Sequence, residues 1–446
     1  MMGFAAWRLV VGLTIGLILG TAGLGVGVTL GQDDRWYEIS KSGVRAVDEG
    51  RFDDAEELFR DALKISDAYG EDDPRRATSV NNLAYILHAK GQYRAAEPHY
   101  REALAMRERA LGPDHPDVAQ SANNLAELYR ALGRFEDAAR LHRRALEIRE
   151  RTYGPNHPEV AQSQNNLGVL LASQGEIEEA ERLYQAALRT RERSYGEDHL
   201  TTAETSSNLA TLYYGQGRFD EARELYEQAL AIEERVLGPK HPSLATTLSN
   251  LAELHRAEGG YEEAIELHGR ALAIREEALG AQHPETAHSL NNLAVAHFQQ
   301  ENFEEAEALY RRSLEIKEKV LGKEHPDLAL TLKNLAELYR TERRFDEAEP
   351  LYDRALAIDE KALGRDHPSL ALGLNNLAAL QFDKGAYVRA EELLKRALDI
   401  EEEALGETHP ELITTLENYA AVLRELRRHD EADEIESRAN TLRAQL

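Results

Sequence analysis

One register governs this chain. Asn82, Asn124, Asn166, Asn208, Asn250, Asn292, Asn334, Asn376 and Asn418 stand 42 residues apart, with no insertion or deletion between them. Alanine keeps the same step from Ala96 through Ala138, Ala180, Ala222, Ala264, Ala306, Ala348 and Ala390 to Ala432. A period of this length marks a stacked array, in which each supersecondary unit buries its apolar face only against its neighbours. The usual ~150 residues per domain would divide the chain into about three domains. The unbroken period replaces that count with one continuous stack.

Each unit reads as two helices. In the second full unit the first helix is expected over about residues 116–132, opening at His115-Pro116-Asp117. Proline suits a first helical turn because its missing N–H has no partner there, and Asp117 complements the helix dipole. Gly133 ends the helix and permits a tight turn. A second helix is expected over about 135–152, with Phe135, Ala138, Leu141, Ala145, Leu146 and Ile148 forming an apolar stripe at helical spacing. Leu111-Gly112-Pro113 and its equivalents close each second helix. The small column of Ala126 and Ala138 lets the paired helices approach closely.

The string Asn123-Asn124-Leu125-Ala126-Glu127-Leu128-Tyr129, followed by Gly133-Arg134-Phe135-Glu136-Asp137-Ala138, Ala145-Leu146-Glu147-Ile148 and His157-Pro158, resembles the tetratricopeptide repeat (TPR) in its 42-residue, kinesin light chain-like form. The resemblance covers residues 36–446. It implies an all-α, right-handed superhelical solenoid of helix-turn-helix repeats, preceded here by one N-terminal apolar helix. The expected organisation is a signal peptide or anchor over 1–31, a linker and degenerate first hairpin over 32–73, eight units over 74–409, and a degenerate C-terminal cap over 410–446. In the cap Glu417, Tyr419, Arg427 and Asn440 depart from the repeat, and polar replacement suits a terminal unit whose outer face has no neighbour.

Residues 9–30 carry no charged side chain and are long enough to cross a bilayer. Two readings stand: an uncleaved single-pass anchor with the repeats outside the cytoplasm, or a cleaved signal leaving a secreted or periplasmic protein. As an anchor, the segment would offer Gly12, Gly16 and Gly20 for dimerisation and would set Trp36 and Tyr37 in the membrane interface.

The absence of cysteine excludes disulfides, thiolate metal sites and cysteine nucleophiles. A formal charge of −27 argues against general affinity for nucleic acid. Eight histidines, His115, His157, His199, His241, His283, His325, His367 and His409, take one loop position per unit, which suits a helix-start role better than a shared metal. No nucleophile-elbow, P-loop or calcium-loop motif occurs, and the Glu-Glu pairs repeat on exposed turns. The reading is a non-enzymatic chain with no cofactor.

Recognition should then lie on the first helices, which the resemblance places along a concave face. One column alternates from Tyr214 onward: His88, Arg130, Ala172, Tyr214, Arg256, Phe298, Arg340, Phe382, Arg424. Arginine forks and aromatic faces suit a peptide mixing acidic and bulky apolar residues. A second column holds Asn123, Asn165, Asn291 and Asn375, with Ser207, Ser249, Lys333 and Glu417 as departures. The resemblance implies that such amides hydrogen-bond an extended peptide backbone; hydrogen bonding between helices of the stack is the competing role. The expected function is a protein-interaction scaffold, exported and membrane-tethered, binding peptide segments. The alternative is a structural spacer or assembly subunit of an envelope complex without a peptide ligand.

Overall fold

The computed structural model describes residues 30–444. Among them run twenty α-helices and no strand: α1 (Leu30–Asp48), α2 (Phe52–Ser66), α3 (Pro74–Ala89), α4 (Tyr93–Leu111), α5 (Pro116–Ala131), α6 (Phe135–Tyr153), α7 (Pro158–Ser173), α8 (Ile177–Tyr195), α9 (Leu200–Gly215), α10 (Phe219–Leu237), α11 (Leu244–Ala257), α12 (Tyr261–Leu279), α13 (Pro284–Gln299), α14 (Phe303–Leu321), α15 (Asp327–Thr341), α16 (Phe345–Leu363), α17 (Leu370–Asp383), α18 (Tyr387–Leu405), α19 (Leu412–Glu425) and α20 (His429–Arg443). Odd-numbered helices are the first of each unit and even-numbered the second. The chain divides into two compact units, whose described parts are residues 30–296 and 297–444.

The repeat histidines start the first helices. Nδ1 of His115 accepts from the backbone N–H of Asp117 at 3.2 Å, and His157, His199, His241, His283, His325, His367 and His409 repeat the bond two residues downstream at 3.1–3.3 Å. An imidazole thus satisfies a donor that the helix itself leaves unpaired. At the other end, Gly133 takes φ +69° in the turn between α5 and α6. Glu301, Arg343 and Arg427 occupy the same turn in three later units at φ +61° to +62°, where a Cβ is costly.

Small side chains bring the helices together. Ala252, Ala264 and Ala296 meet as a fully buried cluster of α11, α12 and α13. The core of the first unit runs through Phe59, Leu83, Ile86, Tyr100, Leu125, Leu128 and Ile148. In the second unit Leu328, Leu332, Ala355 and Ile358 pack as one cluster.

The expected membrane anchor requires correction. No helix among the described residues is long and apolar enough to cross a membrane. The first described helix, α1, carries Asp33, Asp34 and Arg35 in its opening turns and forms half of a hairpin, packed on α2. Trp36 is buried rather than interfacial, and its Nε1 donates to Ser79 Oγ on α3 at 2.8 Å. The single-pass anchor is therefore withdrawn. Apart from Leu30, which opens α1, residues 9–30 with Gly12, Gly16 and Gly20 lie outside the described residues.

Candidate peptide-binding face

The amide column lies inside the stack. Asn123, Asn165, Asn291 and Asn375 are 3%, 0%, 3% and 8% exposed. Asn165 Oδ1 accepts from Asn208 Nδ2 at 2.9 Å, Asn81 Oδ1 from Asn124 Nδ2 at 2.9 Å, and Asn375 Oδ1 from Asn418 Nδ2 at 3.1 Å. Each bond joins one first helix to the next. Asn375 also donates to Thr415 Oγ1 at 2.8 Å, and Asn123 Oδ1 lies 2.9 Å from His142 Nδ1. Buried amides need such partners, and the ladder supplies them except at Asn165, whose Nδ2 is buried without one. Asn81, Asn123, Asn165 and Asn375 thus bond between helices of the stack.

The alternating column has an internal cause as well. Arg130 Nε donates to Glu127 Oε2 at 2.9 Å, Arg256 to Glu253 at 2.7 Å, and Arg340 grips Glu337 with two bonds of 2.6 and 2.9 Å. Across the hairpin His142 Nε2 lies 3.1 Å from Glu127, His268 Nε2 lies 3.2 Å from Glu253, and Tyr352 Oη donates to Glu337 at 2.7 Å. Glu127 is 4% exposed. Burial pushes its carboxyl up, but the charge of Arg130 and the His142 hydrogen bond outweigh that and hold it at about 2. Arginine therefore occurs where glutamate stands three residues earlier. Arg424, in the terminal unit, follows Ala421 and donates instead to Asp433 Oδ1 at 3.0 Å.

Where that earlier residue is Thr211, Val295 or Ala379, an aromatic takes the place of arginine. Tyr214 packs on Phe219 at 5.9 Å between centroids, Phe298 on Phe303 at 5.8 Å and Phe382 on Tyr387 at 5.4 Å, each closing its own turn. Tyr214, Phe298, Phe382, Arg130 and Arg340 stay half-buried, whereas Arg256 is 6% exposed. The arginine forks expected to meet an acidic segment are thus already engaged by the chain's own carboxylates.

A third column is hidden from sequence reading. Arg107, Arg149, Arg191, Arg275 and Lys317 are 1–3% exposed on the second helices α4, α6, α8, α12 and α14. Each donates to a hydroxyl fourteen residues on: Ser121 at 2.5 Å, Ser163 at 3.0 Å, Thr205 at 2.6 Å, Ser289 at 2.6 Å and Thr331 at 3.1 Å. Arg107, Arg149, Arg191 and Lys317 also reach a backbone carbonyl in the first turn of the following helix, at 2.6–3.5 Å. Arg149 and Arg191 reach back as well, to Gln120 Oε1 at 3.1 Å and Gln162 Oε1 at 2.5 Å. These cations clamp one unit to the next. The signal is present in the same 42-residue step, but arginine in a helix reads as surface until its partners are seen.

Also partly exposed on the first helices is the column of Gln120, Gln162, Glu204, Thr246 and His288 in the first unit and Leu330, Leu372 and Thr414 in the second. Its character shifts along the array, from amide through acid and imidazole to leucine, beside the fixed column of Asn124. Among the described residues no group of three or more His, Asp or Glu side chains is placed to hold a metal ion.

The tetratricopeptide repeat model matches overlapping windows at 46–109, 75–151, 118–193, 159–235, 201–277, 243–319, 285–361, 327–400 and 369–443. Among solved structures, the chain is similar to BtubC (BKLC) from P. vanneervenii, at 29% identity and TM-score 0.40, over 57% of this chain and 94% of that one. It is similar to a kinesin light chain-type protein of Podosopora anserina with nearly identical TPR-like repeats, at 29% identity and TM-score 0.39, over 46% of this chain and 97% of that one. A Rap protein complexed with competence and sporulation factor shares the fold at 15% identity and TM-score 0.52, over 84% of this chain and 99% of that one. No curated protein matches. With the windows running unbroken from residue 46 to residue 443, the chain belongs to the tetratricopeptide repeat family.

Proposed function

We propose that this chain is a protein-interaction scaffold that binds extended peptide segments along its first helices. The observation that carries the reading is the partly exposed column from Gln120 to Thr414, which varies along the array on a scaffold whose neighbouring columns are fixed and buried. A constant frame with one changing surface is how a repeat array presents a different side chain to each stretch of a ligand. Tyr214, Phe298, Phe382, Arg130 and Arg340, ten residues further along the same helices, would shape the far end of the surface, while Asn123, Asn165, Asn291, Asn375 and Arg256 would hold the frame beneath it. The Rap protein of similar fold, solved in complex with competence and sporulation factor, supports the binding of a partner by such a stack.

The test is a displayed library of random peptides panned against the full chain. The reading expects enrichment of defined sequences, and a changed set of sequences for Tyr214→Ala and for Phe382→Ala. A spacer without a peptide ligand would enrich nothing above the bare support.

A further inference from the structure

The last turns of the second helices are tied to the loop of the preceding unit by ion pairs that step with the repeat, at an interval of 37 residues. Arg109 lies 3.2 Å from Asp72, Arg151 3.1 Å from Asp114 and Lys361 2.5 Å from Glu324, and Arg235 pairs with Asp198 in the same way. In one unit both signs are exchanged together, with Lys240 2.9 Å from Glu277. A reversed charge inside the stack is answered likewise, as Asp359 is by Lys333 at 3.2 Å.

At two places the answer is missing, and the signs left over are opposite. Arg193 has Asn156 at this interval, which carries no charge, and Glu403 has Asp366, acid against acid. Each belongs to a longer stripe. Arg182, Arg189 and Arg193 are exposed on α8 at spacings of seven and four residues, which put them on one face. Five units on, the same three positions of α18 hold Glu392, Asp399 and Glu403, also exposed. Among the described residues none of the three arginines forms an ion pair. Arg182 donates to Glu178 O at 3.4 Å, Glu179 beside it lies 3.8 Å from Arg143, and Arg189 acts on Glu192 only at longer range. On α18, Arg389 holds Glu392 at 3.0 Å and Lys395 is taken by Glu391 at 2.6 Å, which leaves Asp399 and Glu403 without a cation at ion-pairing distance. At ~1.5 Å rise per residue, the charges of both stripes stand about 10 and about 6 Å apart along the axis. Laid side by side in the same direction, α8 and α18 would set Arg182 against Glu392, Arg189 against Asp399 and Arg193 against Glu403.

We propose that the chain associates head to tail with a second copy of itself, the arginine stripe of α8 in one copy seating on the acidic stripe of α18 in the next. Complementary charge at matching spacing carries the choice of partner, since each stripe is left unanswered by its own chain. The two surfaces differ, so every junction leaves one of each kind free to continue the assembly. A contact built from exposed charges is weak and sensitive to salt.

The experiment is sedimentation equilibrium of the full chain over a range of concentrations, at about 0.1 M salt, where the Debye length of ~10 Å screens repulsion between distant acids, and again at about 1 M. Two variants each reverse one stripe: Arg189→Glu with Arg193→Glu, and Asp399→Lys with Glu403→Lys, both checked for an unchanged helical circular dichroism spectrum. The wild type should gain mass with concentration at the lower salt and lose that gain at the higher. Each variant alone should associate about tenfold more weakly or less, and an equimolar mixture of the two should recover, because each stripe of one then meets its opposite on the other. The second variant is less acidic than the wild type, so its loss cannot come from added repulsion between copies. A wild type that stays single at every concentration, association unchanged in either variant, or loss in both with no recovery on mixing overturns the proposal. Each of these leaves the peptide-binding reading of the first helices standing.

Discussion

Removing the carboxylate at Glu127 tests the reasoning about the alternating column. Glu127→Val would leave Arg130 and the fully buried His142 without the oxygen atoms they share. The magnitude follows from the carboxyl's displacement from 4.5 to about 2. At ~1.4 kcal/mol per pKa unit this is about 3 kcal/mol of stabilisation by its partners, and breaking a buried pair by removing one member costs ~3–5 kcal/mol in general. The sign is that of a depressed carboxylate. The contribution is complete above the unfolded value of 4.5 and disappears as pH falls toward about 2. The units with Phe298 and Phe382 already show how to do without the acid. The triple variant Glu127→Val, Arg130→Phe, His142→Tyr copies the combination Val295, Phe298 and Tyr310 and would set its phenylalanine against Phe135, as Phe298 packs on Phe303 at 5.8 Å. The single variant should lose about 3 kcal/mol at pH 7, and the triple should recover to within about 1 kcal/mol of the wild type. Because arrays do not always unfold in one step, amide hydrogen exchange in α5 and α6 should accompany urea unfolding. A loss below about 1 kcal/mol for the single variant, or no recovery in the triple, would refute the account.

Three other outcomes follow from the packing. Glu233 and Glu401 are both raised from 4.5 to about 7, burial being the larger cause in each. Folding therefore favours their protonated forms, and stability should decline as pH rises from about 4.5 to about 7. Glu233→Gln with Glu401→Gln should flatten that decline by about 1–2 kcal/mol per site after allowance for partial exposure, read from melts at pH 5 and pH 8. Gly168→Ala would place a Cβ 2.9 Å from the Tyr184 ring, outweighing the helix propensity gained. A net loss of about 1–2 kcal/mol is expected, relieved by Tyr184→His, the pairing that Ala126 and His142 already use. Glu301→Gly and Arg343→Gly should each stabilise the fold by up to about 1 kcal/mol, read as a higher urea midpoint, because φ of +61° costs a side chain more than glycine loses in entropy.

Much of the architecture is legible because the repeat averages over its own exceptions. His115 and its seven equivalents read as helix starters, and each accepts a backbone N–H two residues on at the entry to a first helix; the alanine column reads as close approach and is buried. The departures have a common physical origin. The alternation of arginine and aromatic reads as one column facing a ligand, although its identity depends on a second column three residues earlier. Glu127, Glu253 and Glu337 dictate Arg130, Arg256 and Arg340. The buried cations from Arg107 to Lys317 escape the sequence for a related reason: a charge becomes tolerable in a core only through partners contributed by another unit. The membrane expectation rests on hydropathy over residues 9–30, whereas the first described helix, α1, is a charged hairpin helix with its tryptophan buried.

Variation within an array therefore has two meanings that its internal pairings separate. Where one position changes and its partner changes with it, as Glu127 with Arg130 or Asp359 with Lys333, the chain is preserving its own packing. Where a position changes without such compensation, the change is available to a ligand. Leu372 is the clearest instance: it lies in the partly exposed first-helix column and leaves 41% of its surface to solvent. Gln120 at the same register is instead tied to Asn124 and Arg149. Leu372→Glu should consequently change stability by no more than about 0.5 kcal/mol, the range of surface substitutions away from buried networks. In a peptide library it should deplete apolar residues at one position of the enriched sequences and leave the others intact. Gln120→Leu should do the reverse in energetic terms, lowering stability by about 1 kcal/mol through the hydrogen bond denied to buried Arg149. Equal stability losses for the two substitutions, with identical peptide selection by the Leu372 variant and the wild type, would show that this column is packing throughout and that recognition lies elsewhere on the stack.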